Sequence, residues 1–431
     1  MRIAYYTPLA LASAIGRASV PVAEALAAKG HSVHLVRSEF ERRDEDLAHG
    51  TRLPVFWWND IDPALLAVQY DIVLVNIGDH HGFHAGIFSA LDHALCLGIF
   101  HDFYIYDLFR HWAVEQAGGD LSLHDAELRR IYGADEADLT SLVRPDMQVA
   151  EIAERFPMTE WLAERCAGAL VHSHFYRQRL EDSCAGPVAQ ADLPYASRNV
   201  PPPKAGRGDS VTVLTIGHVN PNKCCAEVIE ALSATEKPGK FAYRVAGPVS
   251  DLERERLEAI AAARGFTGLT LLGAVSDKEL EQELASCDII CCLRKPVLEG
   301  ASASAIEAMM AARPVIVADA GFYRYLPGGK VFKVAQDVPI DELAALLDRL
   351  RQDESLRLAT GAEASDWALQ TFAVEPYAAT LEALAEQVIA SSPLAASSVQ
   401  MAKALSSLGL DPTDPAVDRI GSVMQKLFTR A

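Results

Sequence analysis

The 431-residue sequence predicts an α/β protein: two doubly wound domains whose parallel sheets face a central cleft, followed by C-terminal helices. Three observations carry this expectation. Short apolar runs alternate with amphipathic stretches of helical period. The alternation halts at a proline-rich break, "SRNVPPPKAGRGDS" (residues 197–210), and then restarts. From about residue 340 onward the pattern is helical, interrupted at "LDPTDPAV". With 50% hydrophobic and 23% charged residues, a chain of this length is expected to form more than one domain. The expected units are residues 1–200, 208–375 and 376–431, the last crossing back to the first domain and ending in an extra tail over 391–431.

In order, "RIAYY" reads as a strand, and residues 20–29 as a helix that Gly30 ends. "SVHLV" is a second strand. "YDIVLVNIG" (residues 70–78) is a near-continuous apolar run of the kind parallel strands need when covered on both faces. "CLGIFHD" and "AGALVHSHF" mark two more strand ends. Residues 109–157 turn polar, charged and helix-prone, which predicts a helical insertion over one face of the first domain. Beyond the linker, "VTVLTIG", "FAYRVAG", "LTLLG", "CDIICCL" and "PVIVAD" alternate with helices. Two such units create a cleft at the carboxyl ends of their strands, where ligands bind.

Bulk charge narrows the partners. A formal net charge of -19 repels phosphate backbones, so nucleic acid is not expected. Arg129 with Arg130 and Arg177 with Arg179 read as solvated helix faces, with anion contact as the alternative. The eight cysteines lack zinc spacing, several lie in apolar runs, and a reducing cytoplasm is expected. "MRIAYYTPLA" enters a strand directly, without a signal-peptide pattern, and no apolar run has bilayer length. A soluble cytoplasmic protein is expected. Peripheral contact with the inner face of a membrane, or self-association through "VQMAKALSSLGL" in the tail, stays open beside ordinary packing.

Four strand ends carry residues suited to chemistry. Small residues lead to Gly16 in "TPLALASAIGR", which is a tight turn or a place for close ligand approach. His101 and Asp102 close "IFHD", either as a structural pair or as a contact to a substrate hydroxyl. "TIGHVNPNKCC" places Gly217, His218 and then Lys223 at a helix start, where free N–H groups and a lysine would attract phosphate. "CCLRKPVLEGASASAIEAMM" supplies Arg294, Glu299, Gly300, Ala301, Ser302, Ala303, Ser304 and Glu307. Ser304 and Glu307 have capping-box spacing. The absence of bulk from Gly300 to Ala305 suits a helix start that faces a ligand. "DID" (residues 60–62) beside Pro63 reads as a turn rather than a metal site, and no metal is expected.

"EGASASAIEAMMAARPVIVAD" resembles the E-x7-E signature of retaining glycosyltransferases of family four, which have the GT-B fold of two Rossmann-like domains. "TIGHVNPNKCCAEVIEAL" is similar to that family's phosphate-binding segment, and "NIGDHHGFHAGIF" and "LVHSHFYRQRL" resemble its bacterial members. The resemblance covers most of residues 1–390 and is strongest over 211–327. It implies a nucleoside diphosphate sugar as co-substrate, no cofactor, and a glycan or lipid-linked acceptor. Glu299 would hold donor-sugar hydroxyls and Glu307 the ribose. Lys223 would neutralise the diphosphate with N–H groups near Ala301, Ser302, Ala303 and Ser304. His101 would lie at the anomeric centre, with Asp102 on the acceptor side, and Gly16 would line the phosphate side of the first domain. The family's arginine after Gly217 is His218 here, so Arg294 is expected to compensate. Absence of an obvious nucleophile favours front-face attack with retention. A GT-B sugar-nucleotide epimerase and a non-catalytic nucleotide-sugar scaffold remain as alternatives.

Overall fold

Buried parallel strands must be apolar on both faces, and every residue of Ile72–Ile77 is buried. In the computed structural model, which describes residues 1–42, 48–142, 149–203, 206, 209–410 and 414–428, this strand is β4 of a seven-stranded sheet. Its companions are β1 (Arg2–Thr7), β2 (Ser32–Arg37), β3 (Val55–Trp57), β5 (Cys96–Phe100), β6 (Gly168–Val171) and β7 (Val188–Gln190). All pair in parallel, in the order β3-β2-β1-β4-β5-β6-β7. A second parallel sheet holds β8 (Val211–Ile216), β9 (Phe241–Ala246), β10 (Leu269–Gly273), β11 (Ile289–Cys291), β12 (Val315–Ala318) and β13 (Phe332–Val334). Its order is β10-β9-β8-β11-β12-β13. Strand order reverses between β1 and β4 in one sheet and between β8 and β11 in the other. A crevice opens at the carboxyl ends of strands at such points, which selects the loops after these four strands as ligand contacts.

The first helix is longer than its sequence pattern predicts. It spans Ala14–Ala28, with Pro21 inside, because the Ser13 hydroxyl caps it by accepting from the Gly16 N–H. Its N-terminus therefore lies close to the end of β1. Helices Tyr106–Gln116, Ser122–Tyr132, Glu136–Leu142 and Val149–Arg155 occupy the insertion between β5 and β6. They do more than cover a face, since Phe109, Leu128, Leu139 and Ile152 share one apolar core with Phe100 and Trp161. Residues 143–148 of the insertion lie outside the described residues.

Residues 197–203, at the start of the expected linker, have no regular structure; residues 204, 205, 207 and 208 lie outside the described residues. The helix Val374–Ser407 returns to the first sheet, where Tyr377, Leu381, Leu384 and Val388 pack with Ile3, Tyr5, Leu74 and Ile99. A further helix, Pro415–Phe428, follows it. Residues 411–413 of "LDPTDPAV" and the final residues 429–431 lie outside the described residues. Among the described residues, no helix is long and apolar enough to cross a membrane.

Candidate active site

The four loops selected by the topology surround a cleft of about 780 Å³. Ala12–Ile15, the segment after β4, His101 and Asp102 form its first-domain wall. His218, Lys223, Arg294, Glu299 and residues 301–304 form the opposite wall.

On the second-domain side, β8 ends at Ile216 and Gly217 turns the chain with φ +100. A β-carbon there would stand 2.8 Å from the Lys223 Nζ, so the glycine serves both the turn and the lysine's return path. Lys223 closes the short turn Pro221–Lys223, and its Nζ donates to the Ile216 carbonyl at 3.4 Å. Burial, and then the Arg294 charge, push its pKa from 10.5 down to about 7, with Glu299 pulling the other way. His218 is exposed on the same wall.

Arg294 is buried and reaches Glu299, Nε to Oε1, at 2.8 Å. Its Nη1 donates to the Leu293 carbonyl at 2.8 Å. Burial disfavours the guanidinium charge, but Tyr323 and Glu299 hold its pKa above the usual range. The Tyr323 hydroxyl donates to the same Glu299 oxygen at 2.7 Å. Burial raises the Glu299 pKa, yet Arg294, Lys223 and Tyr323 outweigh it and keep the carboxyl below its ordinary value.

The two domains meet through backbone here. Asp102 and Glu299 form an antiparallel bridge, and the Gly300 N–H donates to the His101 carbonyl at 2.7 Å. A β-carbon at Gly300 would lie 2.3 Å from the Tyr176 hydroxyl and 2.9 Å from that carbonyl. Gly300 is thus slim for interdomain contact and is not on the cleft wall, which corrects the ligand-based reading of its size. Ala301, Ser302, Ala303 and Ser304 do line the cleft. The following helix spans Ala303–Met310 and is capped by Ser302, whose hydroxyl accepts from the Ala305 N–H at 3.3 Å. The Ser304–Glu307 capping box is therefore not formed. Ala303 and Ser304 begin the helix, where N–H groups lack intrahelical partners and the dipole favours anions.

Glu307 lies one turn further in, buried and paired with Arg198 of the linker segment rather than placed on the cleft wall. Arg198 also reaches Asp277 at 3.1 Å, and Asp277 accepts from Arg17 of the first domain at 2.7 Å. Gly16 is likewise off the wall: a β-carbon there would stand 2.1 Å from the Pro8 carbonyl oxygen. Its small neighbours Ala12, Ser13 and Ala14 face the cleft instead.

On the first-domain wall, the His101 Nε2 lies 2.7 Å from the Asn76 Oδ1. Asp102 accepts from the Asp79 N–H at 2.9 Å. Burial, and then Glu299, raise the Asp102 pKa to about 7 against that hydrogen bond. Sequence reasoning assigned no site role to Asp79, His80, His81, His84, Asp107 or His111, all of which line the cleft. "GDHHGFH" follows the strand at the first sheet's switch point, and that position was the available signal. Tyr323 and Asn76 carried none. Asp60 ends a short turn and pairs with Arg42, while Asp62 caps the helix Pro63–Gln69 by accepting from Ala64 at 3.0 Å. Among the described residues, no group of three His, Cys, Asp or Glu side chains is placed to hold a metal ion.

Two Rossmann-like parallel-sheet domains facing one cleft define the GT-B fold. Residues 198–367, which carry the second sheet, match the family model of glycosyl transferases group 1. No curated protein matches the chain. Among solved structures, the chain is similar to a sucrose-phosphate synthase from Thermosynechococcus elongatus, with TM-score 0.62 and 16% identity over 91% of this chain and 100% of that one. It is also similar to Anabaena HepE in complex with UDP-glucose, with TM-score 0.59 and 15% identity over 89% and 100%. A glycosyltransferase from Rickettsia africae gives TM-score 0.59 and 14% identity over 90% and 98%.

Proposed function

We propose that this protein is a retaining glycosyltransferase that moves a sugar from a nucleoside diphosphate sugar to a hydroxyl of a glycan or lipid-linked acceptor. The observation that carries this reading is convergence. Lys223, the Arg294–Glu299 pair and the start of the helix Ala303–Met310 meet in one cleft, opposite His101 and Asp102. The group 1 match over residues 198–367 and the fold shared with HepE, solved with UDP-glucose, support it.

In this reading the diphosphate rests against Lys223 and the N–H groups of Ala303 and Ser304. Departure of the nucleoside diphosphate builds charge where these donors are already oriented, and one such donor is worth about 10²–10³ in rate. They supply counter-charge from the chain itself, so the step is proposed to run without a divalent metal. Arg294 stands in for the missing arginine at His218 indirectly, fixing Glu299 for donor-sugar hydroxyls and adding positive potential behind the phosphates. Glu299 is held by Arg294 and Tyr323, and Asp102 by the Asp79 N–H. Neither is a free nucleophile, which supports front-face attack with retention. Bacterial polysaccharide or envelope glycan assembly in the cytoplasm is the proposed setting.

The test is a thermal-shift screen of UDP, GDP and ADP and their sugars, followed by NMR of the products. A ligand at a hundred times its Kd adds about 2.7 kcal/mol. Transfer with retained anomeric configuration supports the reading. Conversion of donor without acceptor indicates an epimerase, and tight binding without turnover over a broad acceptor panel indicates a scaffold.

A further inference from the structure

Asn76 is a buried amide in the otherwise apolar strand β4. Its Nδ2 donates to the Tyr6 carbonyl at 2.9 Å. A carbonyl can only accept, so the amide has one allowed orientation, with Oδ1 turned to the His101 Nε2 at 2.7 Å. Oδ1 is an acceptor, and the proton between them must sit on Nε2. The backbone carbonyl of the same Asn76 lies 2.9 Å from the His84 Nδ1, which fixes that proton too. Each imidazole then keeps a single lone pair, on Nδ1 of His101 and on Nε2 of His84. Both side chains line the cleft.

The surroundings keep His101 neutral. Burial, then His172 and His84, hold its pKa well below the usual range. The His172 ring lies 4.7 Å from that of His101 and bonds the Ala191 carbonyl through Nδ1 at 3.2 Å. Asp102 follows in the chain, with Asp79 bonded to it and Glu299 bridged across the domain contact.

We propose that Asn76 is a positioning residue: it fixes His101 as the Nε2–H tautomer, so that Nδ1 accepts a hydrogen bond from a ligand hydroxyl in the cleft. The tautomer stands on the hydrogen-bond geometry alone. Identifying that hydroxyl as one on the donor sugar rests on the glycosyl-transfer reading. A neutral acceptor beside Asp102 suits a hydroxyl-bearing ligand, and the lone pair on the His101 Nδ1 offers an anion no donor.

Two measurements on the full chain test this. Two-bond 15N–1H correlation spectra of the 15N-histidine-labelled protein, assigned with His101→Gln, report the tautomer between pH 5 and 8.5. The expected result is Nε2–H throughout; an Nδ1–H tautomer, or titration at ordinary histidine pH, overturns the proposal. Asn76→Asp replaces the amide with a carboxylate, which removes the Nδ2 donor to the Tyr6 carbonyl and favours imidazolium, in which both nitrogens donate. Its preference for UDP-glucose over UDP should fall at least about tenfold at pH 6.5 and recover as pH rises, with UDP affinity unchanged. A purely structural defect would weaken both ligands equally at every pH, and an unchanged preference in a variant whose His101 is charged overturns the hydroxyl contact. Should wild type bind neither ligand, the UDP-sugar donor reading fails together with the hydroxyl contact. The tautomer, measured without ligand, is then decided on its own.

Discussion

Arg294 and Glu299 form an ion pair within the cleft wall, 2.8 Å from Nε to Oε1, and the Tyr323 hydroxyl donates to the same oxygen at 2.7 Å. Arg294 is almost wholly enclosed, so removing Glu299 leaves its charge without a partner. Breaking one side of such a pair costs about 3–5 kcal/mol. Glu299→Ala should therefore lose both transfer and several kcal/mol of stability in urea unfolding. Glu299→Gln keeps an acceptor for Tyr323 and Arg294 and should unfold closer to wild type while turnover still collapses. Turnover by Glu299→Gln at the wild-type rate would remove Glu299 from the chemistry.

Lys223 gives a pH signature. Burial, and then Arg294, push its pKa down to about 7, below the ordinary 10.5. The folded protein therefore binds fewer protons than the unfolded chain between those values, and stability gains from this group as pH rises through 7. A bound diphosphate restores the lysine charge. Binding at pH 8 should then take up close to one proton, and affinity should fall as pH climbs above 7. Below pH 7 the lysine is already charged and contributes little uptake. Calorimetry of UDP binding in two buffers of different ionisation enthalpy measures this directly, and Lys223→Met should abolish the uptake. Uptake that survives in Lys223→Met would assign the proton elsewhere.

Arg198 and Glu307 provide a third test. Glu307 is buried, and Arg198 of the linker segment is its partner, 109 residues away in sequence. Arg198→Ala should cost about 3–5 kcal/mol by leaving the buried carboxylate without its counter-charge. The Arg198→Met, Glu307→Leu double variant should recover most of that, since apolar replacement of a buried pair is often neutral. Additive losses would show that the two side chains are not coupled.

These pairs also mark where the sequence stops being legible. Strand β4 could be read because a doubly covered parallel strand is a near-continuous apolar run, whereas the switch points depend on strand order, which only the fold supplies. Lys223, Arg294 and Glu299 could be placed on the cleft because each follows such a run at a carboxyl end. Glu307 could not, because its spacing from Ser304 suits a cap, and only the fold shows that Ser302 caps the helix and Arg198 claims the carboxylate. Gly16 and Gly300 look alike as slim residues near a ligand, yet each makes room for protein, at the Pro8 carbonyl and the Tyr176 hydroxyl. The histidines after β4 were visible but ambiguous, since imidazole roles depend on partners such as Asn76 that are distant in sequence.

Gly300 and Tyr176 test whether the backbone contact between domains serves the site. The Tyr176 hydroxyl donates to the Phe100 carbonyl at 2.7 Å and accepts from the His172 N–H at 2.9 Å, so it is fixed at the end of β5. It cannot retreat from a new β-carbon at 2.3 Å without breaking both bonds. Gly300→Ala should thus cost about 1–3 kcal/mol through overpacking. It should also stretch the Gly300 N–H bond to His101 and shift Glu299 relative to Asp102, lowering turnover at temperatures where the variant is fully folded. Tyr176→Phe alone should cost about 1–3 kcal/mol, because the buried His172 N–H loses its acceptor. Combining them should cost less than the sum, since removing the hydroxyl removes the nearest clash. Relief should stay partial, because the His101 carbonyl would still lie 2.9 Å from the added carbon. A double-mutant cycle in urea, with turnover measured on the same four proteins, reads both effects. Strict additivity would show that the chain relaxes elsewhere and that Gly300 is not what holds Glu299 beside Asp102.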